Sequence, residues 1–158
     1  MKLSNTLKLA TAAGALLISS MSFASAINIA DNDLAIHGYD PVAYFTQSKA
    51  VEGSAKYTAT YEGAIYRFAS EKNRDLFKSD ADHYAPQFGG YCAMGVVLNK
   101  KLDVDPQAFH IADNKLYLNL NKDVQKKWLT DVNGHVKTGV RIWNGIEDLP
   151  VEVVNADD

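Results

Sequence analysis

The chain has 158 residues, of which 47% are hydrophobic, a formal net charge of −3 and a single cysteine. This length and hydrophobic fraction suit one folded domain with its own core and exclude a long disordered chain. Acidic residues are in mild excess, and the sequence has no run of basic residues. Both features argue against a nucleic-acid-binding protein and against a protein attracted to anionic membranes.

The first 26 residues have the pattern of a secretory signal peptide. Lys2 and Lys8 give a positive start, an apolar stretch covers 9–18, and Ala24-Ser25-Ala26 matches an A-x-A cleavage site. The apolar stretch is too short for a transmembrane helix, so we expect no membrane anchor. The pattern predicts export, to the periplasm or outside the cell, and a mature domain over 27–158.

The first half of that domain predicts a helix start and a hairpin. Asp40 before Pro41 suits the N-cap and first position of a helix. Residues 56–61, KYTATY, alternate as a strand does, and 64–68, AIYRF, form the return strand. Between them, Glu62-Gly63 has the composition of a tight hairpin turn.

Two short helices are predicted next, followed by the stretch that contains the cysteine. Ser70 is the expected N-cap of the first helix, and Asp80 that of the second, which Pro86 ends. The double glycine before Cys92 permits unusual backbone angles or a close approach of two segments. The residues CAMGV could begin a helical turn there.

The second half predicts more hairpins and one further helix. Residues 96–104, VVLNKKLDV, suggest a hairpin with its turn near Asn99-Lys100, and 109–120 suggests another around Asp113-Asn114. Asn121 is the expected cap of a helix to residue 131 whose inward side chains are Val124, Trp128 and Leu129. The pattern leaves 132–150 undecided, and 151–158 is expected to fray. The predicted fold is a small α+β single domain, in which short helices pack on β-hairpins.

Several of these segments, taken in order, resemble the YHS-domain family in its exported single-domain branch. They are GYDPVAYF, YTATYEGAIYRFAS, EKNRDLFKSDADHYAPQ and GGYCAMGV, and the resemblance covers roughly 35–131. It implies a small α+β unit similar to treble-clef-like metal-binding modules, which occur beside heavy-metal transport and metal-dependent oxygenase domains. It does not imply an enzymatic activity for the domain itself.

The chain departs from the family's usual metal-linked cysteine pattern. Val42 and Ala43 follow Asp40-Pro41 where a cysteine is usual, Ala69 stands at the hairpin end, and the helix at 71–78 has no cysteine. A closed zinc site built from those cysteines is therefore excluded, since such sites need four soft or imidazole ligands.

The remaining candidate ligands would have to meet in space from separate loops. Cys92 anchors this hypothesis, and a soft or borderline ion is expected there, with copper as the first choice and zinc as the second. The partner would be the metal ion or a metal-handling protein. The proposed ligand set is Cys92, His37, His83, His110 and Met94.

Two other functions stay open for the single thiol. Cys92 is a redox or nucleophilic thiol if a helix N-terminus lowers its pKa and a base such as His37 or His83 lies within reach. Alternatively it is a small buried hydrophobic residue in a structural or interaction domain. The sequence contains no C-x-x-C, no nucleophile elbow and no phosphate-binding loop, so no catalytic residue is assigned.

Overall fold

The structure, a computed structural model, describes residues 26–156. The signal-peptide prediction lies outside the described residues except for Ala26. None of the helices within 26–156 combines the length and the apolar character needed to cross a membrane. In chain order, the helices and strands are α1 (Pro41–Gln47), β1 (Ser54–Tyr61), β2 (Ala64–Phe68), α2 (Glu71–Ser79), α3 (Ala81–Tyr84), α4 (Ala93–Val97), β3 (Asp105–Ala112), β4 (Lys115–Asn119), α5 (Lys122–Trp128), α6 (Val132–Ile146) and α7 (Val151–Val154).

Two antiparallel hairpins, β1–β2 and β3–β4, form separate two-stranded sheets. Their turns are Glu62-Gly63 and Asp113-Asn114, and all four of these residues have positive φ. Two consecutive left-handed residues match the right-handed twist of the strands, so these turns set the register. Two of the three predicted hairpins are confirmed, and with the seven helices among the described residues they confirm the α+β class.

Side-chain caps start most of the helices. Asp40, Ser70, Asp80 and Asn121 each accept a backbone N–H at the positions where the sequence predicts a cap. Asp131 does the same for α6, the segment that sequence patterns left undecided. Each cap satisfies an N–H that the first helical turn would otherwise leave without a partner.

The predicted hairpin at 96–104 is wrong. Helix α4 extends into this stretch as far as Val97, and the chain reverses at Asn99, which has a φ of 60°. The Lys100 N–H donates to the Gly95 carbonyl at 2.9 Å, which closes the helix end and leaves no ladder for a second strand. The chain turns at Asn99, as the sequence predicts, but the residues on either side of the turn do not form strands.

Two further predictions need correction. Leu129, predicted to face inward, is 44% exposed, because α5 ends at Trp128 and turns Leu129 outward. The segment predicted to fray contains the short helix α7, whose Val154 is buried. By contrast, the inward position of Trp128 is confirmed, since its side chain is fully buried.

The core consists of two apolar clusters, and Met94 packs against both of them. One cluster joins α1, α2 and both hairpins, and includes Cys92. The other joins α4 to α6 around Trp128. Helix α4 therefore lies where the two clusters meet, and this position determines the surroundings of the cysteine.

Candidate functional site

Cys92 lies at the start of α4 with its side chain fully buried. Its sulfur accepts two backbone hydrogen bonds, from the Gly95 N–H at 3.3 Å and from the Leu120 N–H at 3.2 Å. The first of these is a helix-cap contact, as the CAMGV pattern suggested. The second comes from the end of β4, so the sulfur links two elements that are distant in sequence.

The double glycine explains how the chain reaches this position. Phe88, Gly89 and Gly90 all have positive φ, which turns the backbone sharply before Cys92. The Cys92 N–H then donates to the Leu102 carbonyl at 2.9 Å. Cys92 is thus held by a hydrogen bond from its backbone N–H as well as by the hydrogen bonds to its sulfur.

Asn119 is the polar side chain next to the thiol. It is fully buried, its Oδ1 accepts the Met94 N–H at 3.3 Å, and the same oxygen lies 4.0 Å from the Cys92 sulfur. Its Nδ2 has no hydrogen-bond partner among the described residues. A buried amide N–H₂ without a partner is unusual, because losing water there costs about 1–3 kcal/mol.

Opposing effects act on the ionisation of the thiol. Burial raises the pKa of Cys92 above its ordinary value, because a thiolate is costly to hold away from water. The N–H groups of Gly95, Leu120 and Met94 oppose that shift, since each stabilises negative charge on the sulfur. The site therefore keeps the thiol protonated at rest while offering donors to an anion.

The structure places the candidate histidines among other partners. His37 Nε2 lies 2.9 Å from Asp103 Oδ1 in an exposed pair. His83 lies against the rings of Phe45 and Tyr84, and its Nδ1 is 3.3 Å from Asn114 Nδ2. His37 and His83 therefore contact groups other than Cys92 in the fold.

The two other candidate ligands belong to separate elements. His110 is half-buried on β3, where it pairs across the hairpin with Tyr117. Met94 is half-buried on α4, two residues after Cys92, and packs against both core clusters. Within residues 26–156, no histidine is among the hydrogen-bond partners of the Cys92 sulfur.

The described residues do not supply a metal-binding donor set around Cys92. Between residues 26 and 156, no group of three or more His, Cys, Asp and Glu side chains is arranged to hold a metal ion. Copper and zinc sites in proteins need several such donors around one point. Metal binding at Cys92 therefore stays a prediction from the resemblance.

A second feature, which sequence patterns did not indicate, is an acidic cleft of about 480 Å³. Its carboxylates come from the β1–β2 turn (Glu62), from α3 (Asp82) and from the end of α6 (Glu147 and Asp148). The Tyr61 hydroxyl donates to Asp82 inside the cleft. No Lys, Arg or His is found among the described residues that line it, which are Ala26, Ile27, Tyr61, Glu62, Asp82, Ala85, Pro86, Gln87, Gly89, Trp143, Glu147 and Asp148.

No family model, no curated protein and no solved structure matches this chain. The resemblance to the YHS-domain family therefore rests on the quoted motifs and stays a prediction.

Proposed function

We propose that this protein is a thiol-redox protein in which Cys92 is the reactive group. A single observation carries the proposal: the buried sulfur lies next to polar groups and not next to hydrocarbon alone. It accepts two backbone N–H groups, and the buried Asn119 amide beside it has an N–H₂ without a partner. A cysteine that serves only as a small hydrophobic residue has no need of such neighbours.

The donors are suited to negative charge on the sulfur or on an oxygen bonded to it. The thiolate is the nucleophilic form of cysteine, and N–H groups aimed at it lower the cost of forming it. Because the side chain is fully buried, the oxidant has to be small. Hydrogen peroxide meets this requirement, and a protein exported as predicted would work in an oxidising compartment.

The oxidation step balances without any other group. Cys92 first releases its thiol proton, and the thiolate attacks one peroxide oxygen. An S–O bond forms, the O–O bond breaks, and the leaving hydroxide takes up the proton released by the thiol to become water. Sulfur is oxidised by two electrons and the peroxide is reduced. The resulting S–OH group can donate a hydrogen bond to Asn119 Oδ1, the atom of that amide nearest to the sulfur.

Reduction requires a thiol from outside the chain, because the sequence contains no second cysteine. A thiolate from a small thiol or a partner protein attacks the sulfenic sulfur, forms a mixed disulfide and releases hydroxide, which becomes water. A second external thiol then restores Cys92 and leaves as the disulfide.

The test compares folded and unfolded protein. Purified protein is treated with hydrogen peroxide, the sulfenic acid is trapped with dimedone, and the adduct is counted by mass spectrometry with and without urea. We expect the folded protein to react at least about tenfold faster, equivalent to about 1.4 kcal/mol in the barrier. Slower reaction in the folded state than in urea would overturn the proposal.

A matched pair of variants tests the role of the amide. Asn119→Ala removes the buried amide whose Oδ1 lies 4.0 Å from the sulfur, whereas Asn99→Ala changes an exposed asparagine in the turn after α4. We expect the first to lower the peroxide rate of the folded protein and the second to leave it unchanged. Equal rates in both would remove Asn119 from the mechanism.

The second candidate is a structural or interaction domain in which Cys92 only packs. Complete burial and the raised pKa of the thiol favour it. In that case Cys92→Ala retains the fold, and the wild-type thiol reacts with peroxide only when urea exposes it. The same experiment therefore decides between the two functions.

A further inference from the structure

Strand β1 has an open edge on the side away from β2. Within residues 26–156, β1 pairs with β2 and with no other strand. The outer edge of β2 is occupied, because the Ile65 N–H donates to the Asp33 carbonyl at 2.7 Å and the Ile65 carbonyl accepts the Ala35 N–H at 2.9 Å. In the part of the chain that the structure describes, the first hairpin can therefore accept another strand only beside β1.

The backbone groups at this open edge belong to Thr58 and Thr60. Thr60 lies opposite Ile65 in the hairpin, and Thr58 lies opposite Arg67 in the same unbroken register. In an antiparallel ladder, the residues of one pair bond to each other and the residues of the next pair point away from each other. Because both backbone groups of Ile65 bond on the side away from β1, those of Thr60 point to the open edge, and so do those of Thr58. Unpaired groups in such a row are a template for a further strand.

The residues along this edge read nearly the same in both directions. The stretch 56–62 is KYTATYE, in which the threonines and the tyrosines are placed symmetrically about Ala59. When two copies run antiparallel with Ala59 opposite Ala59, every threonine of the stretch faces a threonine and every tyrosine faces a tyrosine. A two-fold interface needs a patch that is complementary to itself, and this stretch has that property.

The same register also suits the backbone. Thr58 lies opposite Thr60 of the second copy, and both residues point their N–H and carbonyl groups toward the open edge. The two such pairs in the symmetric arrangement form about four hydrogen bonds between the copies. A shift by one residue would instead set an outward-pointing residue against one that already bonds to β2.

Side chains and charges support the same pairing. Tyr57 and Tyr61 are half-buried and pack against the first core cluster, so they would form cross-strand aromatic pairs on one face. The exposed threonines pair on the other face. Lys56 and Glu62, both exposed, stand at opposite ends of the stretch, so each end of one copy meets the opposite charge on the other.

We propose that this protein forms a symmetric dimer through β1, in which the strands of two copies pair antiparallel about Ala59. The two hairpins then make one four-stranded sheet. The dimer is closed, because it uses the open edge of both copies and the outer edge of each β2 is bonded to 33–35. The proposal is independent of the reactivity of Cys92.

The length of the edge limits both the partner and the affinity. The β1–β2 register is irregular between Ser54 and Thr58, and the turn follows Tyr61. A strand of another protein would therefore find only the short symmetric stretch to pair with, and only a second copy matches it at every position. Because so short an interface is small, we expect a Kd of roughly 10–100 µM.

Sedimentation equilibrium of the purified protein tests the proposal. Between about 1 µM and about 1 mM, we expect a reversible change from mostly monomer to mostly dimer, with no larger species. A protein that stays monomeric at the highest concentration would overturn the proposal and leave the edge to a strand of another protein. Growth into longer assemblies would contradict the closed arrangement.

Two double variants of the same exposed threonines test the register. Thr58→Lys with Thr60→Lys sets lysine against lysine in both central pairs, so the Kd should rise about tenfold. Thr58→Lys with Thr60→Glu sets lysine against glutamate in the same pairs, so the Kd should stay within about threefold of wild type or fall. Equal weakening in both variants would exclude this register. Circular dichroism and Tm check that each variant is folded, and the second variant decides alone if the first is not.

Amide hydrogen exchange measured by NMR locates the interface without any substitution. The N–H groups of Thr58 and Thr60 should exchange at least about threefold more slowly at 1 mM than at 10 µM, because only the dimer gives them acceptors. The control is the Lys72 N–H in the first turn of α2, whose rate should not depend on concentration. A dimer in which the two threonine amides stay unprotected would have its interface elsewhere and would refute the proposal.

Discussion

At the scale of single residues, Asp40 shows how one buried carboxylate can join three segments. Its Oδ1 accepts the N–H groups of Val42 and Ala43 at the start of α1, at 2.9 and 3.3 Å. Its Oδ2 accepts the Ala69 N–H at 2.8 Å and the Asn73 Nδ2 at 2.6 Å. The side chain is fully buried, and all its hydrogen bonds come from α1, the end of β2 and α2.

Asp40→Ala should therefore cost more than an ordinary helix cap. It leaves several buried donors without an acceptor, and we expect the free energy of unfolding to fall by about 3 kcal/mol in urea titrations. The control is Asp131→Ala, which removes an exposed cap of α6 and should cost about 1 kcal/mol. Equal losses in the two variants would contradict the central role of Asp40.

Lys101 is a second buried charge with a defined structural task. Its Nζ donates to the carbonyls of Glu147 and Leu149, both at 2.7 Å, and lies over the rings of Tyr91 and Trp143. Burial lowers its pKa. These contacts attach the end of α6 to the loop that follows α4, so they hold the C-terminal helices against that loop.

At the scale of elements, α6 depends on one glycine and tolerates another. A Cβ at Gly139 would lie 2.7 Å from Cζ of Phe88, a buried ring, whereas a Cβ at Gly145 would meet nothing within 4 Å. Both glycines are within α6. Gly139 therefore serves the packing of the helix, and Gly145 only lowers its intrinsic stability.

Two alanine substitutions in α6 should consequently have opposite signs. Gly145→Ala should raise the free energy of unfolding by about 0.5–1 kcal/mol through helix propensity. Gly139→Ala should lower it by at least about 1 kcal/mol, since overpacking against Phe88 outweighs the same gain. Urea titration of both variants measures the difference, and a stabilising Gly139→Ala would show that Phe88 moves freely.

Helices and turns that depend on neighbouring residues in the sequence are predicted correctly. Segments whose conformation depends on tertiary packing are not. The turns at Glu62-Gly63 and Asp113-Asn114 need left-handed residues next to one another, which the sequence displays directly. Helix α6 stayed undecided because glycines weaken its pattern, although Gly139 is there to admit Phe88. The hairpin predicted at 96–104 is wrong because α4 packs where the two apolar clusters meet. No local sequence pattern indicates that packing.

At the scale of the whole molecule, tyrosines dominate the response to alkaline pH. Burial is the main cause that raises the pKa of Tyr44, Tyr61, Tyr66, Tyr91 and Tyr117. The unfolded chain releases these protons near pH 10, before the folded protein does, so stability is complete below pH 10 and falls above it. Lys101 acts in the opposite direction, but it is one group against five.

We expect the buried Tyr66 to remove up to about 1 kcal/mol of stability near pH 10.5 relative to pH 8, because the folded protein retains the proton that the unfolded chain releases. Tyr66→Phe tests the assignment, because the Tyr66 hydroxyl is buried without a partner among residues 26–156. The variant should be as stable as wild type or more so at pH 8 and should lose less at pH 10.5. Urea midpoints at the two pH values provide the measurement, and an unchanged alkaline loss would contradict the prediction.

The sequence by itself determined the α+β class, both hairpin turns and four of the helix caps. Each of these depends on residues within a few positions of one another, where side-chain type and backbone conformation are directly coupled. The helical turn after Cys92 belongs with them, since CAMGV and the cap contact to Gly95 lie in one short stretch.

Only the tertiary structure decided which groups meet around the thiol and in the cleft. Asn119 is 27 residues from Cys92, and the Glu147 carbonyl is 46 residues from the ammonium of Lys101. The cleft brings together carboxylates from positions 62 to 148. Contacts at such separations follow from how the two clusters pack, and no local pattern of residue types encodes that packing.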